Sequence, residues 1–234
     1  MKADFSLTVV LPAHNEEGNI KNTVEKCLSY LEKNVGDYEV VVVNDGSSDR
    51  TREIVEEMSS ANPCVVLVNH ETNKGYGSAL RSGLDRASKD YIFFMDSDGQ
   101  FDISDLGRLI PYAGPDRAVI GYREDRADSH IRSLNAWLYG LYIYFVFGLK
   151  VKDMDCAFKI FPRSAYESVR PIKSEGALFS AEFLIKLKRN GFSFKEVPVR
   201  HFPRIFGSQT GANMRVIIKM FKESWKLRNE LRDR

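Results

Sequence analysis

Tyr91-Ile92-Phe93-Phe94-Met95-Asp96-Ser97-Asp98-Gly99-Gln100 runs from an unbroken apolar segment straight into an acidic turn. Its first five residues are apolar without alternation, which predicts a strand buried on both faces. Gly99 then marks an abrupt turn. Two carboxylates and an amide oxygen therefore emerge together at the carboxyl end of a core strand. Oxygen donors of this hardness suit Mg²⁺ or Mn²⁺, above all where phosphate oxygens complete the shell. The stretch predicts a metal-assisted phosphate site.

The same pattern recurs upstream. Residues 6–11 read as a first strand ended by Pro12, and 39–44, with four consecutive valines, as a central strand. Residues 64–68 read as a third. Ile20, Val24, Cys27, Leu28 and Leu31 recur at helical spacing after the first strand. Ile54, Val55 and Met58 follow the second, behind Ser48 or Asp49 as a cap, and Ala79, Leu80, Leu84 and Ala87 follow the third. Strands alternating with helices predict an α/β fold, a Rossmann-like and mostly parallel sheet flanked by helices. Ligands of such sheets sit beyond the carboxyl ends of the strands. Four polar clusters fall there: Ala13-His14-Asn15-Glu16, Asn44-Asp45-Gly46, residues 70–77, and residues 96–100. Asn, Asp and Gly are also ordinary turn residues, so it is the joint placement that points to a shared nucleotide-phosphate site. The first turn is no GxGxxG and the chain has no GxxxxGK[ST], which argues against dinucleotide-fold oxidoreductases and P-loop enzymes.

The chain has 234 residues, 43% of them hydrophobic, enough for one large α/β domain. Its 34 Lys and Arg nearly balance 32 Asp and Glu, for a net charge of +2, so nothing marks it as a nucleic-acid binder. Cys27, Cys64 and Cys156 are odd in number and widely spaced among apolar neighbours, as expected of buried thiols in a reducing compartment. No secretory leader is evident at the first strand, and no run reaches the roughly 20 apolar residues that span a bilayer. The expectation is a cytoplasmic protein, soluble or peripheral on the cytoplasmic face of a membrane; homo-oligomerisation is left open.

Taken in order, these residues resemble the family 2 glycosyltransferases of the GT-A fold, and within them the dolichol-phosphate mannose synthase-like branch that charges polyprenyl phosphates. The resemblance rests on Pro12-Ala13-His14-Asn15-Glu16-Glu17, Val43-Asn44-Asp45-Gly46-Ser47-Ser48-Asp49 and Asn73-Lys74-Gly75-Tyr76-Gly77. It continues through Met95 to Gln100, Val119-Ile120-Gly121-Tyr122-Arg123, Glu196-Val197-Pro198-Val199 and Pro203-Arg204-Ile205-Phe206-Gly207-Ser208. It implies one GT-A catalytic domain over 1–210, with a nucleotide-binding part (1–123) and an acceptor-side part (124–210), and a C-terminal amphipathic helix over 211–234. Position by position, Pro12, Ala13, Asn15 and Glu16 are implied as the wall of the nucleotide pocket, with Lys74 and Ser97 beside it. Asp45 is implied to meet the base or ribose, a role an acceptor-only carboxylate fits. Asp96 is implied beside the nucleoside, and Asp98 and Gln100 as direct ligands of Mg²⁺ or Mn²⁺. A structural alternative for Asp96 is a cap on the following turn.

The acceptor side implied by the resemblance comprises Arg123 and Arg204 for phosphate groups, Arg132 and Ser133, and Asp155 and Lys159 at a strand, with Glu182 in the next helix. Guanidinium forks suit phosphate. His201 precedes Arg204 and either donates to phosphate or supports the loop. The segment Arg204-Ile205-Phe206-Gly207-Ser208-Gln209-Thr210-Gly211 lacks the final lysine that the branch commonly carries, and Gly207 and Gly211 suit a pliable lid.

Residues 134–149 contain no charge and are rich in Trp, Tyr and Phe. As a helix they place Leu134, Leu138, Leu141 and Phe145 on one face beside Trp137, for packing on the sheet or for lying at a membrane surface. At the C-terminus, Met214, Ile218, Phe221 and Trp225 form one stripe, and Arg215, Lys219, Lys222 and Lys226 the neighbouring one. Three readings stay open there: an anionic membrane, a solvated face and a partner helix.

The expected reaction is inverting transfer of a hexosyl unit from a GDP- or UDP-linked sugar donor to a polyprenyl phosphate. That acceptor is already anionic and needs alignment more than deprotonation. A saccharide or other soluble hydroxyl acceptor is the alternative, and it requires a base, with Asp153, Asp155 and Glu182 as candidates. A nucleotide-sugar-binding module without turnover is a third reading.

Overall fold

The structure is a computed structural model. It describes residues 3–124, 130–174, 176, 178–204, 206 and 214–232, and the side chains of 130–136 and 214–222 are not described.

Seven strands form one sheet: β1 (Leu7–Ala13), β2 (Tyr38–Asp45), β3 (Val65–His70), β4 (Tyr91–Met95), β5 (Arg117–Arg123), β6 (Phe158–Pro162) and β7 (Ser193–Val199). Their order is β3-β2-β1-β4-β6-β5-β7. β1 to β4 run parallel, β5 and β7 run parallel to each other, and β6 is antiparallel to both neighbours, β4 and β5. The reversal at β6 ends the run of parallel strands.

The helices are α1 (Ile20–Asn34), α2 (Thr51–Ala61), α3 (Tyr76–Arg86), a short α4 (Leu106–Leu109), α5 (His130–Phe147), α6 (Arg163–Val169), α7 (Phe179–Arg189) and α8 (Met214–Arg232). α1 forms because Ile20, Val24, Cys27 and Leu31 recur at helical spacing and all bury completely. The four valines of β2 have no exposed surface, as a strand covered on both faces requires. α3 packs very close to the sheet: a Cβ on Gly83 would lie 2.3 Å from the Val10 side chain, so only glycine permits this approach.

β1 runs two residues further than expected, through Pro12 to Ala13, and β3 ends at His70, not at Val68. Both departures have one cause: the neighbouring strand still pairs there, Ala13 with Asn44 and Asp45 with His70, so polar residues belong to the ladder. Cys27 and Cys156 are buried as expected, and Cys64 is half-buried. No helix among the described residues is long and apolar enough to cross a membrane.

Candidate active site at the carboxyl edge of the sheet

The ends of β1 and β2 are knitted together. Pro12 and Ala13 finish β1 in a buried position, and the Pro12 carbonyl accepts a hydrogen bond from Ser97 Oγ at 2.7 Å. Asn15 lies in the left-handed region at φ 55°, where a side chain is disfavoured. Its hydrogen bonds hold it there: its backbone N–H donates to Ser47 Oγ (3.0 Å), and its Oδ1 accepts from Ser48 N–H (2.8 Å). Asp49 Oδ1 accepts from the Thr51 N–H and Oγ1, although the N-cap position of α2 is Arg50 and not Ser48 or Asp49.

Asp45 is buried and its carboxylate is taken up by the chain itself. Oδ1 is 2.7 Å from His70 Nδ1 and accepts from Lys74 N–H at 2.9 Å, and Oδ2 accepts from Gly75 N–H at 2.9 Å. The far imidazole nitrogen, Nε2, is 2.9 Å from Ser82 Oγ on α3. Asp45, expected against base or ribose, is therefore the residue that shapes the 71–75 loop, while the Lys74 side chain points to solvent. Gly46 closes this corner at φ +63°, where an added Cβ would lie 2.3 Å from the Thr72 backbone. Nothing local in the sequence marks His70, since its partners lie 25 residues before it and 12 after it.

Asp96 and Asp98 leave β4 as expected, and Gly99 turns the chain at φ +77°. Asp96 is half-buried beside Asp98; desolvation, reinforced by the Asp98 charge, pushes its carboxyl up to about 7, against a hydrogen bond from Tyr76. Tyr76 exposes part of its ring but encloses its hydroxyl against Asp96, and burial with that neighbouring charge raises the phenol well above its ordinary value. Asp98 Oδ1 accepts from Gln100 N–H at 3.0 Å, and Oδ2 accepts from Arg204 Nη2 at 2.8 Å. The same guanidinium nitrogen donates to Glu16 Oε1 at 3.0 Å. Glu16 is buried, which raises its carboxyl despite donors from Asn19 and Arg204. Gln100 Nε2 donates to the Phe202 carbonyl (3.0 Å), and Phe202 N–H returns a bond to the Gln100 carbonyl (2.9 Å). The segment after β7 is thus stitched onto the acidic turn, and His201 stacks edge-on against Phe101 at 5.2 Å.

On the acceptor side several expectations change. Lys159 has no exposed surface; its ammonium donates to the carbonyls of Met154 and Cys156 and lies 5.3 Å from the Phe94 ring. Burial lowers its pKa, and its ammonium is taken up by backbone carbonyls, so the surface position expected for it on the acceptor side is corrected. Its ammonium turns back onto the chain just ahead of β6, beside the Phe94 ring of β4. Arg123 is committed to Asp153, with Nε to Oδ2 at 2.7 Å and Nη2 to Oδ1 at 2.9 Å. Glu182 is buried and accepts from Lys173 N–H, from Ser174 N–H and Oγ, and from Lys186 Nζ. Of the three candidate bases only Asp155 is exposed. The side chains of Arg132 and Ser133, the glycine loop at 207–211 and most of the C-terminal stripe lie outside the described residues.

Can this edge hold Mg²⁺ or Mn²⁺? No three His, Cys, Asp or Glu side chains among the described residues are grouped to hold an ion. Asp98, with Asp96 in its electrostatic field and Gln100 beside it, still fits the common arrangement in which one or two carboxylates hold the ion and substrate phosphates complete the shell. An ion approaching Asp98 Oδ2 meets the Arg204 guanidinium already bonded there.

The model of the Glycosyl transferase family 2 matches residues 8–170. Among curated proteins, the dolichyl-phosphate beta-glucosyltransferase of Saccharomyces cerevisiae is 30% identical over 222 residues, 84% of this chain and 66% of its own length. The undecaprenyl-phosphate 4-deoxy-4-formamido-L-arabinose transferase of Edwardsiella ictaluri is 28% identical over 92% of this chain and 66% of its own length. The chain therefore spans about two thirds of the length of these relatives. Among solved structures, glucosyl-3-phosphoglycerate synthase from Mycobacterium tuberculosis with UDP superposes with a TM-score of 0.68 at 19% identity, covering 97% of this chain and 79% of that one. The same enzyme with Mn²⁺, UDP and phosphoglyceric acid gives 0.68 at 20% identity, covering 96% and 78%. These likenesses establish the expected GT-A fold. With the family model covering well over half of it, this chain belongs to glycosyl transferase family 2.

Proposed function

We propose that the chain is a metal-dependent glycosyltransferase that takes a hexosyl group from a nucleoside diphosphate sugar. The observation that carries this reading is the gathering of Asp96, Asp98, Glu16 and Arg204 at the carboxyl edge, between loops shaped by Asn15 and Asp45. Asp98 with Gln100 would hold Mg²⁺ or Mn²⁺, and a bound ion would neutralise the charge that grows on the departing nucleoside diphosphate. Asp96, half-buried beside Tyr76 and Asp98, adds a second carboxylate next to the ion's place. Pro12, Ala13 and Ser97 wall it, and Arg204 reaches the diphosphate.

For the acceptor, a soluble hydroxyl compound is favoured by the solved neighbours, one of which carries phosphoglyceric acid together with UDP. In that reading Asp155, the exposed one of the three candidates, serves as the base. A polyprenyl phosphate is the second reading. It is supported by the names of the curated relatives and by exposed Trp137, Leu138 and Phe145 on α5, an apolar face suited to a peripheral membrane contact.

The deciding experiment supplies a panel of nucleotide sugars with phosphoglyceric acid, simple saccharides or short polyprenyl phosphates, and follows labelled product into the aqueous or organic phase. Asp98→Asn should lower turnover by about 100-fold or more with folding intact. Turnover unchanged by Asp98→Asn and by chelator, or absent with every donor, sinks the proposal.

A further inference from the structure

Arg204 stands where an incoming cation would be expected. Its Nη2 lies 2.8 Å from Asp98 Oδ2 and 3.0 Å from Glu16 Oε1, in a setting where all three side chains are at least four-fifths buried. The other Asp98 oxygen is held by Gln100 N–H. Both oxygens of the carboxylate are therefore engaged by the chain's own donors. The segment carrying Arg204 is anchored on both sides. Phe202 exchanges two hydrogen bonds with Gln100, and Arg200 pairs with Asp105 at 2.9 Å and Asp102 at 3.2 Å. On the far side the Phe206 ring packs on Gly18, so closely that a Cβ there would meet it at 3.0 Å. The guanidinium is thus delivered to the acidic turn by fixed contacts.

Charge explains why this matters. Glu16, Asp96 and Asp98 share one enclosed region, and Arg204 is the cation that faces all three. A divalent ion approaching the protein alone must displace a buried, charge-assisted pair and leave the guanidinium beside it, which is repulsive. A nucleoside diphosphate changes both sides of that exchange. Its phosphates offer Arg204 a better bidentate partner and offer the ion oxygen ligands of its own.

We propose that Arg204 keeps Asp98 closed to divalent ions until a nucleoside diphosphate draws it away, so that the metal is taken up with the nucleotide and not before it. This rests on the proposed donor and metal site, and it assigns Arg204 the role of setting the order of binding.

The test measures Mn²⁺ binding by the loss of the free-ion electron paramagnetic resonance signal, on the full chain, with and without UDP or GDP. Wild-type protein alone should bind Mn²⁺ weakly, and added nucleotide should make binding tight. Arg204→Gln should bind Mn²⁺ without nucleotide tighter than wild type by about tenfold or more, and this advantage should shrink once nucleotide is present. Arg204→Lys, which keeps the charge, should stay weak like wild type, and thermal melting checks that each variant is folded. Equal Mn²⁺ affinity of wild type and Arg204→Gln without nucleotide, with both binding tightly in its presence, overturns the ordering role and leaves the metal site standing. Absence of Mn²⁺ binding by wild type with either nucleotide overturns the site reading as well.

Discussion

Arg123, the last residue of β5, grips Asp153 with two parallel hydrogen bonds, and its own backbone N–H adds a third at 3.2 Å. Asp153 is only 3% exposed at its side chain and Arg123 11%, so this is a buried pair that ties the end of β5 to the loop leading into β6. It neutralises two residues that the sequence offered for separate tasks, a phosphate-binding arginine and a base.

Removing one partner of such a pair strands the other charge. Asp153→Ala is therefore expected to lower unfolding stability by about 3 kcal/mol, read from urea denaturation. Asp153→Asn, which keeps one acceptor, should cost less. If instead kcat collapses in Asp153→Asn while stability stays level, Asp153 is a base and the structural role is wrong.

The Asp45–His70–Ser82 chain of hydrogen bonds predicts a positioning role for His70. His70→Ala should weaken UDP or GDP binding by about tenfold, because Asp45 then loses the donor that orients it towards Lys74 and Gly75, with a stability loss of about 1–2 kcal/mol. Asn at 70 can donate in place of Nδ1 and should recover much of the affinity. Calorimetric titration of the nucleotide checks both variants. Unaltered affinity in His70→Ala would show that the 71–75 loop holds its shape without the imidazole.

Glu182 supplies a pH dependence with a definite sign. Burial pushes its carboxyl up, but hydrogen bonds from Lys186, Ser174 and Lys173 outweigh that and hold it below the ordinary glutamate value. A carboxyl lowered in the folded state adds stability above its unfolded pKa, and that stability is lost as the pH falls through the folded value. Unfolding stability should therefore decline below about pH 4.5, and Glu182→Gln should flatten that decline. Urea midpoints at pH 3 to 7, wild type against variant, measure it; parallel curves would remove Glu182 as a source of the acid limb.

Much of this protein was legible in its residues because the relevant signals are local. The unbroken apolar runs of β2 and β4 demand burial on both faces, and their ends place Asp45, Asp96 and Asp98 at one edge of any parallel sheet. The turn at Gly99 follows from a single residue and its neighbours. The sixteen uncharged residues at 134–149 marked a helix, yet only packing decided that Tyr139 and Ile143 bury while Trp137 and Phe145 stay exposed.

What the sequence left open is the pairing of charges across long separations. Arg204 and Asp98 lie 106 residues apart, Arg123 and Asp153 lie 30 apart, and Lys159 looks like a surface cation until folding buries its ammonium against the Met154 and Cys156 carbonyls. Hydrophobic periodicity places backbones in layers, but a guanidinium or ammonium takes whichever acceptor the folded chain brings within about 3 Å. That choice is made by desolvation and geometry together, and neither exists until the sheet has formed.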